Sequence, residues 1–165
     1  MAENQDISRL LIVEDDPDIR ELLKHFLKES VDEIIEADNG AVALEITKNY
    51  EFDTILSDIE MPQMNGLKFL AYVRSLGQMT PFVVLTAHGD HARALEALSL
   101  GAFDFITKDS KKKAVIEAVQ AALKLGREMK SSKHDPVQAN HLRKIYTEMS
   151  KSSELRLRKI INEMS

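Results

Sequence analysis

Acidic, hydroxyl and ammonium groups stand at the ends of the short apolar runs of this sequence. Glu14 and Asp15 follow the first run, Asp58 the third, Thr86 ends the fourth, and Lys108 follows the fifth. If the fold brings them together, three carboxylates repel one another and persist only where a cation or a functional gain offsets the cost. Oxygen ligands suit a hard cation, and Mg²⁺ takes one or two carboxylates together with water and phosphate.

These groups could carry out phosphoryl transfer to a carboxylate. The transferred group spreads its charge over three oxygens, and each oxygen needs a partner such as a metal, an ammonium or a hydroxyl. An aspartate accepts a phosphoryl group by forming an acyl phosphate. The residue types therefore predict a metal-assisted phosphoryl-transfer site, provided that the strands place these side chains at one edge.

Five apolar runs alternate with helical patterns, which predicts five consecutive β–α units. We expect strands at 10–13, 33–37, 54–57, 82–85 and 103–106, each followed by one helix. Strands separated by single helices cannot pair as hairpins, so the prediction is an α/β fold with a parallel sheet and helices on both faces. Ligands of such sheets bind beyond the carboxyl ends of the strands, where the groups above stand.

Composition excludes several classes of protein. The 165 residues are 44% hydrophobic and 30% charged, which is typical of a globular chain and unlike a disordered or collagen-like one. The absence of cysteine excludes disulfides, thiolate nucleophiles and cysteine-ligated metals. No apolar run approaches the roughly 20 residues of a membrane span, and the polar start is unlike a signal peptide. We therefore expect a cytoplasmic protein.

Five motifs in order resemble the response-regulator receiver domain of bacterial two-component signalling. The resemblance covers about 8–127 and implies a flavodoxin-like (βα)5 fold, with a five-stranded parallel sheet in the order 2-1-3-4-5. The motifs are LIVEDD at 11–16, LSDIEMPQMNG at 56–66, LTA at 85–87, GAFDF at 101–105 and ITK at 106–108.

The resemblance implies a role for each site residue. Asp58 would accept a phosphoryl group from a histidine kinase, a histidine phosphotransfer protein or a small phosphodonor. Glu14 and Asp15 match the acidic pair that binds Mg²⁺ together with Asp58, and the backbone carbonyl of Glu60 would complete the protein ligands.

The remaining matched residues concern the phosphoryl group and the response to it. Thr86 and Lys108 match the pair that contacts the phosphoryl group. Phe105 matches the aromatic switch residue, whose side-chain rotamer would report phosphorylation to the face built by the last helices. Thr86 would share in this switch.

The chain divides into a receiver at 1–130, a linker at 131–136 and a C-terminal helical extension at 137–165. Net charge is −12 over 1–110 and +7 over 111–165. The extension repeats 142–150 at 157–165 with seven of nine positions identical, which places both copies on about the same face of a helix.

The extension carries two apolar stripes, separated by the polar stretch 150–153. A helix with such a stripe needs a partner, which could be its own receiver, a second copy or another protein. We favour a homodimer or partner docking through 137–165. Nucleic acid is a less favoured partner, because no recognised DNA-binding motif follows the receiver and Tyr146 is the one aromatic residue of the extension.

The leading hypothesis is a signalling switch that catalyses only its own phosphorylation and dephosphorylation. One alternative is an aspartyl-phosphate phosphatase, since Asp58 and Glu60 resemble the two spaced acids of haloacid-dehalogenase-type enzymes. In that family the motif belongs to the first strand, whereas here it ends the third. The other alternative is a constitutive dimeric scaffold whose receiver is a platform.

Overall fold

The structure, a computed structural model, describes residues 6–165. Strands and helices alternate through five β–α units, and a sixth helix follows. The strands are β1 (Arg9–Val13), β2 (Glu33–Ala37), β3 (Thr54–Asp58), β4 (Phe82–Thr86) and β5 (Asp104–Thr107). The helices are α1 (Pro17–Leu27), α2 (Gly40–Asn49), α3 (Gly66–Ser75), α4 (His91–Ser99), α5 (Lys112–Ser131) and α6 (Pro136–Glu163).

The five strands form one parallel sheet in the order β2-β1-β3-β4-β5. This confirms the predicted parallel sheet and the strand order that the resemblance implies. All residues of β3 and β4 are buried, because helices cover both faces of the sheet. One apolar core lies on the side of α1 and α5, and the other on the side of α2, α3 and α4.

The order of the strands fixes which side chains meet at the carboxyl edge. β1 and β3 are neighbours, with Val13 opposite Ser57, so the residues that follow each strand adjoin one another. β3 and β4 are neighbours in turn, with Asp58 opposite Leu85. The acids after β1 therefore lie beside the acid that ends β3.

Helix α6 runs along the outer edge of β5 and bridges the two apolar cores. Leu142 packs into the core on the α5 side, and Leu157 into the core on the α4 side. Between them, three hydroxyls donate hydrogen bonds to backbone carbonyls of the connection between α4 and β5. These bonds are Tyr146 to Gly101 at 2.6 Å, Ser150 to Ala102 at 2.7 Å and Ser153 to Phe103 at 3.2 Å.

The polar stretch 150–153 does not break the helix, which is continuous across it. Ser150 and Ser153 face the connection between α4 and β5, whose backbone carbonyls need donors that apolar side chains cannot supply. In this structure of one chain, the extension contacts its own α/β domain, the first of the three partners considered above. A homodimer through 137–165 stays a prediction.

The buried Tyr146 hydroxyl joins α6 to α3 and to the connection between α4 and β5. It donates to the Gly101 carbonyl and accepts a hydrogen bond from Arg74 Nη2 at 2.6 Å. Tyr146→Phe is expected to lower the free energy of unfolding by about 1–2 kcal/mol, because both bonds are lost in a buried place. Urea denaturation measures this loss. The exposed Tyr72→Phe is the control, and equal losses in the two variants would contradict the assignment.

Among residues 6–165, no helix has the length and apolar character needed to cross a membrane.

Candidate acidic metal centre

Three carboxylates converge at the carboxyl edge of the sheet. Oxygens of Glu14, Asp15 and Asp58 all lie within 4.8 Å of one another. The Glu14 side chain is fully buried and Asp58 is 2% exposed, whereas Asp15 is exposed to solvent. The cluster is therefore buried at Glu14 and Asp58 and open to water at Asp15.

Lys108 supplies the cation that faces this cluster. Its Nζ lies 3.0 Å from Asp58 Oδ2 and 3.3 Å from Glu14 Oε2. The backbone N–H of Lys108 donates to the Thr86 carbonyl at 2.8 Å, which holds the residue at the end of β5 beside β4. One ammonium thus serves two buried carboxylates.

Burial raises the pKa values of the two buried acids, Glu14 and Asp58. Desolvation, reinforced by the charge of Asp58, raises the pKa of Glu14 from 4.5 to about 7. Burial also raises the pKa of Asp58, opposed mainly by its hydrogen bond to Lys108. Both groups are held in a place that disfavours their charged forms.

The donor atoms fit a hard divalent cation. Glu14 Oε1 accepts a hydrogen bond from the Asp16 N–H at 3.1 Å, whereas buried Oε2 accepts none from the residues that the structure describes and lies 3.3 Å from Lys108 Nζ. Buried carboxylate oxygens cost free energy unless protons or cations compensate them, and here one ammonium is shared between two buried carboxylates. Glu14, Asp15 and Asp58 are the residues that could hold a metal, and the carbonyl of Glu60 stays a predicted ligand.

The Thr86 hydroxyl is turned toward β5. It is buried and donates to the Ile106 carbonyl over 3.5 Å, a long and therefore weak hydrogen bond. Its residue lies one position beyond Leu85, the register partner of Asp58. The structure thus places Thr86 at the predicted edge, with its hydroxyl bonded away from the acidic cluster.

The predicted switch residue Phe105 is 7% exposed and lies under a side chain of α6. The Arg156 guanidinium carbon is 4.9 Å from the centre of the Phe105 ring. Arg156 Nη2 also lies 2.6 Å from Asp104 Oδ1. The sequence analysis missed Arg156, since nothing in its local sequence distinguishes it from the other cations of the extension.

A second arginine beside the site was also missed. The Glu60 side chain forms an ion pair with Arg93 of α4, which links the loop after β3 to the start of α4. Arg93 also lies 3.8 Å from Asp90 Oδ2, the residue that caps α4. The extra acid two positions after Asp58 is therefore neutralised by a neighbouring helix.

Gly66 lets α3 begin directly against the phosphoacceptor candidate. A β-carbon on this residue would overlap the backbone carbonyl oxygen of Asp58. The Gly66 N–H donates to the Ile59 carbonyl at 2.9 Å, which closes the loop after β3. The glycine that ends the 56–66 motif thus fixes the backbone on which Asp58 is presented.

A family model for the response regulator receiver domain matches residues 10–120. The chain belongs to the response regulator receiver family. Its five β–α units are thus those of a response regulator receiver domain. The match ends inside α5 and does not extend to α6.

Known relatives and solved structures agree with this assignment. Regulatory protein AtoC of Escherichia coli is 36% identical over 128 residues, which is 78% of this chain and 28% of AtoC. Response regulator protein PilR of Pseudomonas aeruginosa is 38% identical over 117 residues, 71% of this chain and 26% of PilR. The receiver therefore spans about a quarter of the length of these relatives.

Solved receiver domains match about seven-tenths of the chain. The signal receiver domain of the NarL regulator of Mycobacterium tuberculosis matches with a TM-score of 0.66 and 35% identity, over 72% of this chain and 97% of that domain. The chemotaxis regulator CheY4 of Vibrio cholerae matches with a TM-score of 0.65 and 29% identity, over 70% and 98%.

Proposed function

We propose that this receiver takes a phosphoryl group on Asp58 in a reaction that requires Mg²⁺, and that it signals through protein–protein contacts. The observation that carries this proposal is the arrangement around Asp58. Its buried carboxylate lies 3.0 Å from the Lys108 ammonium and within 4.8 Å of oxygens of Glu14 and Asp15.

In the proposed reaction, an oxygen of Asp58 forms a bond to the phosphorus of the donor. The bond between phosphorus and the donor's histidine nitrogen breaks, and the nitrogen keeps the electron pair. With acetyl phosphate, the acetate oxygen leaves instead. Lys108 would exchange part of its ion pair with Asp58 for a contact to a phosphoryl oxygen, and so stabilise the transferred charge.

The metal and the hydroxyl complete the proposed site. Glu14, Asp15 and the Asp58 carboxylate would hold Mg²⁺, which when bound neutralises negative charge on the phosphoryl oxygens. Thr86 would release the Ile106 carbonyl and donate to a phosphoryl oxygen. Its bond to that carbonyl is long, so the hydroxyl loses little when it turns.

The proposed phosphodonors are a histidine kinase or a histidine phosphotransfer protein, as expected of a two-component receiver. The proposed site of action is the cytoplasm. The matched relatives are regulatory proteins that are longer than this chain, so the output of this receiver is a proposal about its surface and its extension.

Incubation with acetyl phosphate and Mg²⁺, followed by intact-mass measurement, tests the proposal. We expect one added phosphate on the native protein and none on Asp58→Asn. Asp38→Asn, which removes an exposed acid at the same edge of the sheet, is the matched control and should label like the native protein. Absence of phosphate on the native protein, or equal labelling of Asp58→Asn, contradicts the proposal.

A further inference from the structure

Helix α6 closes the face of the receiver formed by α4, β5 and α5. Its Tyr146, Ser150 and Ser153 hydroxyls donate to backbone carbonyls of the connection between α4 and β5, and it buries Leu157 against the core on the α4 side. The helix is attached by the four residues 132–135 between α5 and α6. The face is therefore covered by a tethered segment rather than by a part of the β–α repeat.

The contact between α6 and the predicted switch residue is made by Arg156. Its guanidinium stacks over the Phe105 ring and pairs with Asp104, so it holds two consecutive residues of β5. The Arg156 side chain is half exposed, and exposed contacts of this kind contribute modestly and reversibly. Arg156 is thus a latch that can open without unfolding the receiver.

Strand β5 joins this latch to the acidic cluster within a few residues. Phe105 lies under Arg156, the next carbonyl (Ile106) accepts the Thr86 hydroxyl bond, and Lys108 contacts Asp58. In the docked arrangement, the Thr86 hydroxyl is bonded to β5 and not to the site. A phosphoryl group on Asp58 would compete with the Ile106 carbonyl for the Thr86 hydroxyl. Loss of that hydrogen bond would affect the segment of β5 that Arg156 contacts.

We propose that α6 is an autoinhibitory lid, latched by Arg156 on Phe105 and Asp104, whose docking opposes phosphorylation of Asp58. This inference rests on the proposed function. Phosphorylation favours release of the helix, and release of the helix favours phosphorylation by the same factor, because coupling between two sites is reciprocal. Release uncovers the face along β5 for a protein partner.

An introduced thiol can report the docking, since the chain contains no cysteine. Ser153 is buried and donates to the Phe103 carbonyl, whereas its neighbour Ser152 is exposed. The rate of reaction with a thiol reagent is measured for Ser153→Cys and for the control Ser152→Cys. We expect Mg²⁺ with beryllofluoride, a phosphoryl mimic, to accelerate Ser153→Cys severalfold and to leave Ser152→Cys unchanged.

The latch is tested by Arg156→Ala against Arg158→Ala. The two changes remove the same charge, but Arg158 pairs with Glu154 within α6. Arg156→Ala is expected to raise the Ser153→Cys reaction rate about fivefold without ligand and to raise the affinity for beryllofluoride by a similar factor, because the coupling is between equilibria. Arg158→Ala is expected to change neither the reaction rate nor the affinity.

The possible failures are distinguishable. Phosphate uptake with an unchanged Ser153→Cys rate, and with equal beryllofluoride affinities of Arg156→Ala and Arg158→Ala, overturns the lid and leaves the proposed function standing. No phosphate uptake by any variant overturns the proposed function and the coupling with it. If Ser153→Cys does not fold, hydrogen exchange of the α6 amides in the unlabelled native sequence, with and without beryllofluoride, gives the same decision.

Discussion

Replacing Glu14 by glutamine is expected to stabilise the metal-free protein at pH 8, by up to about 3 kcal/mol. At that pH the native Glu14 carries a charge in a fully buried position, next to the charge of Asp58. The amide keeps the shape of the side chain and removes the charge. Lys108 retains Asp58 as its partner at 3.0 Å, so no buried cation is left alone.

The pH dependence follows from the raised pKa of Glu14. Its pKa is about 7 in the folded protein and 4.5 as the reference for the unfolded chain, so the folded state binds the proton more tightly. Tighter proton binding by Glu14 stabilises the folded state fully below pH 4.5. This stabilisation falls as the pH rises from 4.5 to about 7, and it is lost above about pH 7. The 3 kcal/mol is an upper value, because water reaches the cluster at Asp15 and screens its charges.

Urea denaturation at pH 5 and pH 8, in the presence of a chelator, measures this difference. Glu14→Gln should lose less stability than the native protein between the two pH values, and it should gain less from added Mg²⁺. The exposed Glu21→Gln is the control and should behave like the native protein. A metal-free Glu14→Gln that is less stable than the native protein at pH 8 would show that the buried charge of Glu14 does not destabilise the folded state.

Gly126→Ala is expected to lower the free energy of unfolding by about 3 kcal/mol. In a helix interior, this change ordinarily stabilises by about 0.5–1 kcal/mol. Here a β-carbon would overlap the backbone carbonyl oxygen of Asp53, where α5 lies directly on the start of β3. The obstacle is backbone, which cannot move aside as a flexible side chain would.

Thermal or urea denaturation of Gly126→Ala, with Lys124→Ala as the control, shows whether the substitution stabilises or destabilises the protein. Lys124 is an exposed residue of the same helix, and its replacement should change stability by only a few tenths of a kcal/mol. A Gly126→Ala protein as stable as Lys124→Ala would mean that α5 does not approach β3 as closely as the structure places it.

The acidic centre is the part of the site that the sequence specified most fully. Glu14, Asp15 and Asp58 follow strands that must be parallel, and parallel strands that are neighbours end at the same edge. Lys108 follows β5, which is parallel to β3 but separated from it by β4, and its long side chain reaches Asp58 along the same edge. The direction of the Thr86 hydroxyl did not follow, because a side-chain rotamer depends on which neighbouring acceptor is within reach.

By itself, the sequence determined the five β–α units, the parallel sheet and the edge at which its acids meet. These follow from apolar periodicity and from short connections, which act locally along the chain. Only the tertiary structure decided that α6 covers its own receiver, that Arg156 lies on Phe105, and that Arg93 neutralises Glu60. Each of these contacts joins residues more than thirty positions apart, and an amphipathic helix fits several apolar surfaces equally well until the folded chain offers one of them.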